Sequence, residues 1–254
     1  FGLAFLGVGL LEFRNRRVYA SADVPRGLGL NVLGSVPAEL DRQTVLAEAV
    51  DGIRTQLLHV ARQEGRRVVM VTSAIAGEGK TSLSCQLAAS LARGGQKTLL
   101  IDGDLRHPSV HGRFDLPAQP GFAEALRGES DAVQLVQPTN VDGLAILAAG
   151  RCDRSAIQAL GRDDAKKLLE RLKGDYDFLV VDACPVLPVA DALVLGQHVD
   201  AVVLAVLRNY SCLPSVYEAQ RRLGALDIAM LGAVVLGESN VGYGVERYLA
   251  ENVS

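Results

Sequence analysis

Tryptophan is missing from the 254 residues, and phenylalanine and tyrosine contribute only six each. A platform that stacks single-stranded bases needs several exposed aromatic faces, so this composition argues against one. Lysine is scarce too: five of the 26 basic residues are Lys and the other 21 are Arg, a bias that reflects codon usage more than chemistry. Against 29 acidic residues the net charge is −3, which argues against a nucleic-acid reader that relies on bulk positive charge. The four cysteines, Cys85, Cys152, Cys184 and Cys212, form no C-x-x-C pair, so neither a zinc site nor a redox couple is signalled. Scattered free thiols suit a reducing cytoplasm. There is no internal repeat, no low-complexity tract, and no Ser-His-Asp or Cys-His arrangement.

What is present is apolar. Half of the residues (49%) are hydrophobic, enough for a sizeable core and too many for intrinsic disorder. The length allows one large domain or two small ones. Phe1 to Leu11 is uncharged and apolar and is followed by Arg14, Arg16 and Arg17. As a helix that run would rise about 16 Å, roughly half a bilayer core. It reads either as the cytoplasmic half of a transmembrane helix with a positive-inside flank or as an apolar segment of the domain.

The rest alternates strand and helix. Val32–Val36 reads as a short strand ending at Pro37, and Val68–Val71, Thr98–Ile101, Leu144–Leu147, Phe178–Val181, Ala201–Leu207 and Ala229–Leu236 read as doubly buried strands. Helices are expected at Thr44–Arg62, Thr81–Arg93, Gly121–Arg127, Asp163–Lys173, Ala190–Gln197, Pro214–Leu223 and Val245–Glu251. Within the first, Val45, Ala49, Ile53, Leu57 and Val60 are expected on one face. This pattern predicts an α/β fold, a doubly wound, mainly parallel sheet with helices on both faces. Asp104 to Pro120 is the longest loop, carrying His107 and His111, which read as solvated.

Three motifs fall at the same edge of that sheet. Ala74-Ile-Ala-Gly77-Glu78-Gly79-Lys80-Thr81 links a strand to a helix, the context a phosphate-binding loop requires. Its glycines let successive N–H groups face one anion, and the helix dipole adds to them. Lys80 would reach the β and γ phosphates, and the Thr81 hydroxyl would hold Mg²⁺. Asp102-Gly-Asp104-Leu-Arg106 and Asp182-Ala-Cys-Pro185 each put carboxylates where an apolar strand ends. In parallel sheets all strand C-termini share one edge, so Asp102 should face the crevice of Lys80 and Asp182 should act as a Walker B carboxylate.

These residues resemble the bacterial tyrosine kinases of capsule and exopolysaccharide export, the cytoplasmic part of polysaccharide co-polymerases, whose fold is similar to the MinD/ParA branch of P-loop NTPases. The marks are Walker A at Ala74–Thr81, Walker A′ at Asp102–Arg106 and Walker B at Asp182–Pro185; Gly121–Gly128, Leu147–Gly150 and Ser21–Pro37 are similar as well. The resemblance implies ATP and Mg²⁺ as cofactors. Gly77, Glu78, Gly79, Lys80, Thr81, Ser82 and Arg106 would bind nucleotide. Thr81, Asp102 and Asp182 would organise the metal. Asp102 or Asp104 would orient or deprotonate the incoming tyrosine hydroxyl, with Lys80 as the catalytic cation. Tyr243 and Tyr248 would be the phosphoacceptors on a neighbouring protomer.

The resemblance also makes Phe1–Leu11 the cytoplasmic end of a transmembrane helix. The chain then divides into that helix with its basic flank (1–20), a juxtamembrane segment (21–40) and a kinase domain with a short tail (41–254). It implies a place at the cytoplasmic face of the bacterial inner membrane. Its expected partners are neighbouring kinase domains in a homo-oligomer, a transmembrane and periplasmic co-polymerase segment and a tyrosine phosphatase, with no nucleic acid. Three positions differ from the family pattern. Glu48-x-x-Asp51-x-x-Arg54 has an acid where the oligomerisation helix carries a cation, Leu236 is followed by Gly237 and Glu238 with Asn240 further on, and the tail holds only two tyrosines. A MinD/ParA-like ATPase switch and a non-catalytic export platform are the alternatives.

Overall fold

The computed structural model describes residues 16–38 and 43–238. Its centre is an eight-stranded sheet of β1 (Val32–Pro37), β2 (Val68–Ser73), β3 (Thr98–Asp102), β4 (Gln137–Pro138), β5 (Leu144–Leu147), β6 (Phe178–Asp182), β7 (Ala201–Leu207) and β8 (Met230–Glu238). The spatial order is β1-β8-β7-β2-β6-β3-β5-β4. Every pairing is parallel except that of the two-residue β4 with β5. The alternation of apolar runs with helical segments dictates this arrangement, because parallel neighbours need a crossover between them. Order reverses around β2, which carries the phosphate-loop sequence at its C-terminal end.

Helices cover both faces: α1 (Asp23–Leu28), α2 (Gln43–Gln63), α3 (Lys80–Arg93), α4 (Val110–Arg113), α5 (Phe122–Leu126), α6 (Ala132–Leu135), α7 (Arg154–Ala159), α8 (Asp163–Leu172), α9 (Asp191–Gly196) and α10 (Leu213–Gly224). Alternate residues of each strand feed opposite cores. Val69, Val71, Leu100 and Val180 pack with Ile53, Leu57, Leu83, Leu87 and Leu91 of α2 and α3. Met70, Leu99, Ile101 and Val181 pack with Leu169 of α8, Leu195 of α9 and Val216 of α10. Leu83, Leu87 and Leu91 are fully buried, and each contributes roughly 2 kcal/mol of hydrophobic stabilisation.

All seven expected strands are present, most of them a residue or two longer. The buried stripe of α2 runs through Val45, Val50, Ile53, Leu57 and Ala61, so Ala49 and Val60 are only half-buried. The rotation lets α2 contact β1 and α3 together. The short helices α1, α4, α6 and α7 and the strand β4 had no sequence signal, since four to six residues hold too little period to read. Asp104 to Pro120 contains the α4 turn. Among the described residues no helix is long and apolar enough to cross a membrane. Phe1–Leu11, the helix expected at Val245–Glu251, Asn240, Tyr243 and Tyr248 lie outside the described residues.

Candidate active site

The loop from Ala74 to Gly79 leaves the end of β2 and enters α3 at Lys80. Gly77 and Gly79 adopt φ of 85° and 84°, in the left-handed region that favours glycine. At Gly79 a Cβ would also stand 2.5 Å from Leu236 Cδ1 of β8. The two glycines thus curl the backbone so that the α3 N-terminus opens on the sheet edge.

Lys80 Nζ donates to Asp104 Oδ2 at 2.7 Å, and Thr81 Oγ1 is 3.4 Å from the same nitrogen. Burial pulls the lysine's pKa down, but the Asp182 charge and the Asp104 bond outweigh it and hold the pKa above the ordinary lysine value. Thr81 Oγ1 donates to Asp182 Oδ2 at 2.7 Å and Ser84 Oγ to Asp182 Oδ1 at 2.8 Å. Asp182 is fully buried, and burial raises its pKa against the pull of Lys80 and these two hydroxyls.

Asp102 pairs in register with Asp182 across β3 and β6. Close approach there is permitted by Gly103, whose N–H donates to Asp182 O at 2.8 Å and where a Cβ would meet that carbonyl at 2.9 Å. Asp102 Oδ2 accepts the Ser109 and Val110 N–H groups at 3.0 Å each and so caps α4. Its Oδ1 is buried without a partner. Burial, with the Asp182 and Asp104 charges, pushes the carboxyl up to about 7 in spite of those two N–H bonds. Asp104 Oδ1 accepts the N–H groups of Arg106 and His107, at 3.3 and 3.0 Å.

Three buried carboxylates thus gather at one sheet edge, two of them, Asp104 and Asp182, acting on the Lys80 ammonium. The surplus negative charge and the unpartnered Asp102 oxygen fit a divalent cation. Among the described residues no three His, Cys, Asp or Glu side chains form a cage of protein ligands. Cys85 and Cys184 lie close by, but burial pushes both thiols up to about 12, so neither supplies a thiolate.

Other residues expected at the site are engaged elsewhere. The Glu78 side chain turns inward and is fully buried, leaving only its backbone toward a ligand. Ser82 Oγ accepts from Arg113 at 3.4 Å. Arg106 forks onto Asp191 of α9, with Nε–Oδ2 at 2.6 Å and Nη2–Oδ1 at 3.1 Å, and does not reach the phosphate loop. His107 is exposed and His111 half-buried. Sequence reasoning missed Ser84, although it follows Thr81 by one helical turn and shares its face. It also missed Asp191, Tyr210 and Ser211, for which no local signal existed.

On α2, Asp51 Oδ1 accepts from Arg54 at 2.8 Å and from the Ser90 hydroxyl of α3. Arg54 also donates to the Ser90 carbonyl at 3.0 Å. The remaining cation of the expected oligomerisation helix is therefore spent within the chain. Gly121–Gly128 and Leu147–Gly150 prove to be one scaffold. Phe122 and Ala123 N–H groups donate to Ala148 O and Ala149 O at 2.7 and 2.8 Å, and Glu124 accepts the Gly121 and Arg151 N–H groups.

Residues 66–216 match the AAA domain family. Tyrosine-protein kinase YwqD of Bacillus subtilis is 31% identical over 83% of this chain and 89% of its own length. The chain belongs to the bacterial tyrosine kinases. Tyrosine-protein kinase etk of Escherichia coli is 31% identical over 75% of this chain, which spans only 26% of that longer protein. The solved kinase domain of Escherichia coli ETK superposes with a TM-score of 0.77 at 28% identity, covering 83% of this chain and 91% of that one. The septum site-determining protein MinD from Pyrococcus horikoshii, solved with Mg-ADP, gives 0.59 at 25% identity over 66% of this chain and 69% of that one. Membership of this kinase family and the P-loop NTPase fold follow directly.

Proposed function

We propose that this chain is an ATP-dependent protein-tyrosine autokinase that regulates capsule or exopolysaccharide chain length and export from the cytoplasmic face of the bacterial membrane. The observation that carries this reading is the convergence of Lys80, Thr81, Asp102, Asp104 and Asp182 at one sheet edge, in a chain whose relatives are tyrosine kinases.

The loop N–H groups and Lys80 would bind the phosphates of ATP. Thr81, Asp182 and Asp102 would hold Mg²⁺, which supplies charge neutralisation on the transferred phosphoryl group. Phosphoryl transfer needs placement and charge balance more than a strong base. When Lys80 turns from Asp104 to a phosphate, Asp104 Oδ2 becomes free to accept the proton of a tyrosine hydroxyl. That hydroxyl oxygen bonds to the γ-phosphorus as the bond to ADP breaks. Tyr243 and Tyr248 of a neighbouring protomer would be the acceptors. The cytoplasmic end of a transmembrane helix with its basic flank at residues 1–20, a juxtamembrane segment at 21–40, a transmembrane and periplasmic co-polymerase segment and a tyrosine phosphatase complete the proposed system.

Mixing a Lys80→Met chain that keeps both tyrosines with an active chain carrying Tyr243→Phe and Tyr248→Phe tests this. Phosphotyrosine on the inactive chain is the expected result. No label there, while wild type labels itself at a concentration-independent rate, rejects transfer between protomers. The likeness to MinD favours a second reading, an ATPase switch; steady ADP release with no phosphotyrosine on any chain would select it.

A further inference from the structure

Glu78 places a carboxylate inside a loop that receives anions, and the structure turns that charge away. One of its oxygens accepts the Ile75 N–H at 2.8 Å. The other accepts the hydroxyl of Ser211, from the turn that joins β7 to α10. Ser211 is fully buried and its Oγ accepts the Leu207 N–H at 2.8 Å, so its proton is committed to Glu78. The preceding residue grips the same loop: Tyr210 Oη donates to the Ala76 carbonyl at 3.1 Å.

The turn itself is tightly fixed. Ser211 N–H donates to Leu207 O at 2.8 Å, Asn209 N–H to Val18 O at 2.8 Å and Val18 N–H to Ser211 O at 2.9 Å. Asn209 takes the left-handed φ of 62° that this shape needs and that asparagine tolerates. Two adjacent side chains on a rigid turn thus hold Ala76 and Glu78, either side of Gly77. A loop whose N–H groups must converge on one phosphate is sensitive to displacements well below 1 Å.

We propose that Ser211, acting through the Glu78 carboxylate, is a positioning residue that sets the shape of the phosphate-binding loop and therefore its affinity for nucleotide. This rests on the nucleotide-binding reading of the loop and not on tyrosine transfer.

The test is the affinity of the full chain for Mg·ATP by calorimetry, with KM and kcat measured beside it. Ser211→Ala should weaken binding about tenfold and raise KM while kcat stays within about twofold. Ser211→Thr, which keeps the hydroxyl, should restore affinity to within about twofold of wild type. In a Glu78→Ala background Ser211→Ala should add less than about a twofold effect, because the partner it acts through is gone. Unchanged affinity in Ser211→Ala overturns the proposal, and so does an equal loss in both backgrounds. A fall in kcat at constant KM does the same. If Ser211→Ala does not fold, Tyr210→Phe at its half-exposed position decides. About threefold weaker binding supports the grip on the loop, and wild-type affinity overturns it. A wild-type chain that binds no Mg·ATP overturns the nucleotide reading and this proposal together, whereas binding without phosphotyrosine overturns only the kinase reading.

Discussion

Asp182 Oδ2 accepts the Thr81 hydroxyl at 2.7 Å, joining two residues 101 positions apart in the chain. The carboxylate arrives on β6 and the hydroxyl on the first turn of α3, so only the parallel pairing of β2 with β6 brings them together. Ser84 holds the other oxygen at 2.8 Å, which leaves the carboxylate a single orientation. Asp182→Asn keeps the shape but loses the charge. Phosphoryl transfer should fall by about 10²-fold or more. Raising Mg²⁺ should recover part of the loss in a radiolabel transfer assay if the effect lies in metal binding.

The Lys80–Asp104 pair is buried, with 13% and 2% of the two side chains exposed. Removing one partner of such a pair leaves an unpaired charge and costs about 3 kcal/mol or more. Lys80→Met should therefore abolish transfer, keep the native circular dichroism spectrum and lower Tm. Adding Asp104→Asn should return part of the lost Tm. A double variant less stable than Lys80→Met would contradict the pairing.

Asp102 sets a pH dependence. Its carboxyl is pushed up to about 7 in the folded chain from an ordinary 3.8, so between these values the folded state holds a proton that the unfolded state has released. Stability of the protein in chelator and without nucleotide should thus fall as pH rises from about 4 to about 7. Below that window both states are protonated, so the pH dependence ends and stability is at its highest for this group. Asp102→Asn should flatten this slope in urea unfolding at a series of pH values and should be the more stable chain at neutral pH.

Gly79 combines a φ of 84° with a Cβ position 2.5 Å from Leu236 Cδ1. Gly79→Ala should strain the loop and push against β8. We expect a loss of about 1 kcal/mol or more in chemical denaturation and at least tenfold weaker Mg·ATP binding. Leu236→Ala in the same chain should relieve the contact but not the backbone strain, so stability should recover only in part.

Among the described residues, seven of the eight strands and six of the helices were legible in the residues alone, in their order along the chain. Continuous apolar runs such as Val68–Val71 and Phe178–Val181, set between helical segments, read as doubly buried strands, and the glycines and Lys80-Thr81 that follow β2 mark a phosphate loop by local spacing. The carboxylates at the ends of β3 and β6 were visible for the same reason: each ends an apolar strand. Their division of labour was not. That Lys80 rests on Asp104, that Arg106 forks onto Asp191, and that Asp102 caps α4 with one oxygen and leaves the other bare depend on loops crossing the sheet edge. The inward turn of Glu78 onto Ser211 and the folding of Arg54 onto Ser90 were equally out of reach. Periodicity reports which face of one element is buried. Polar partners separated by 36 or 133 residues meet only when several elements pack, because burial makes each polar group find a partner and packing decides which one is near.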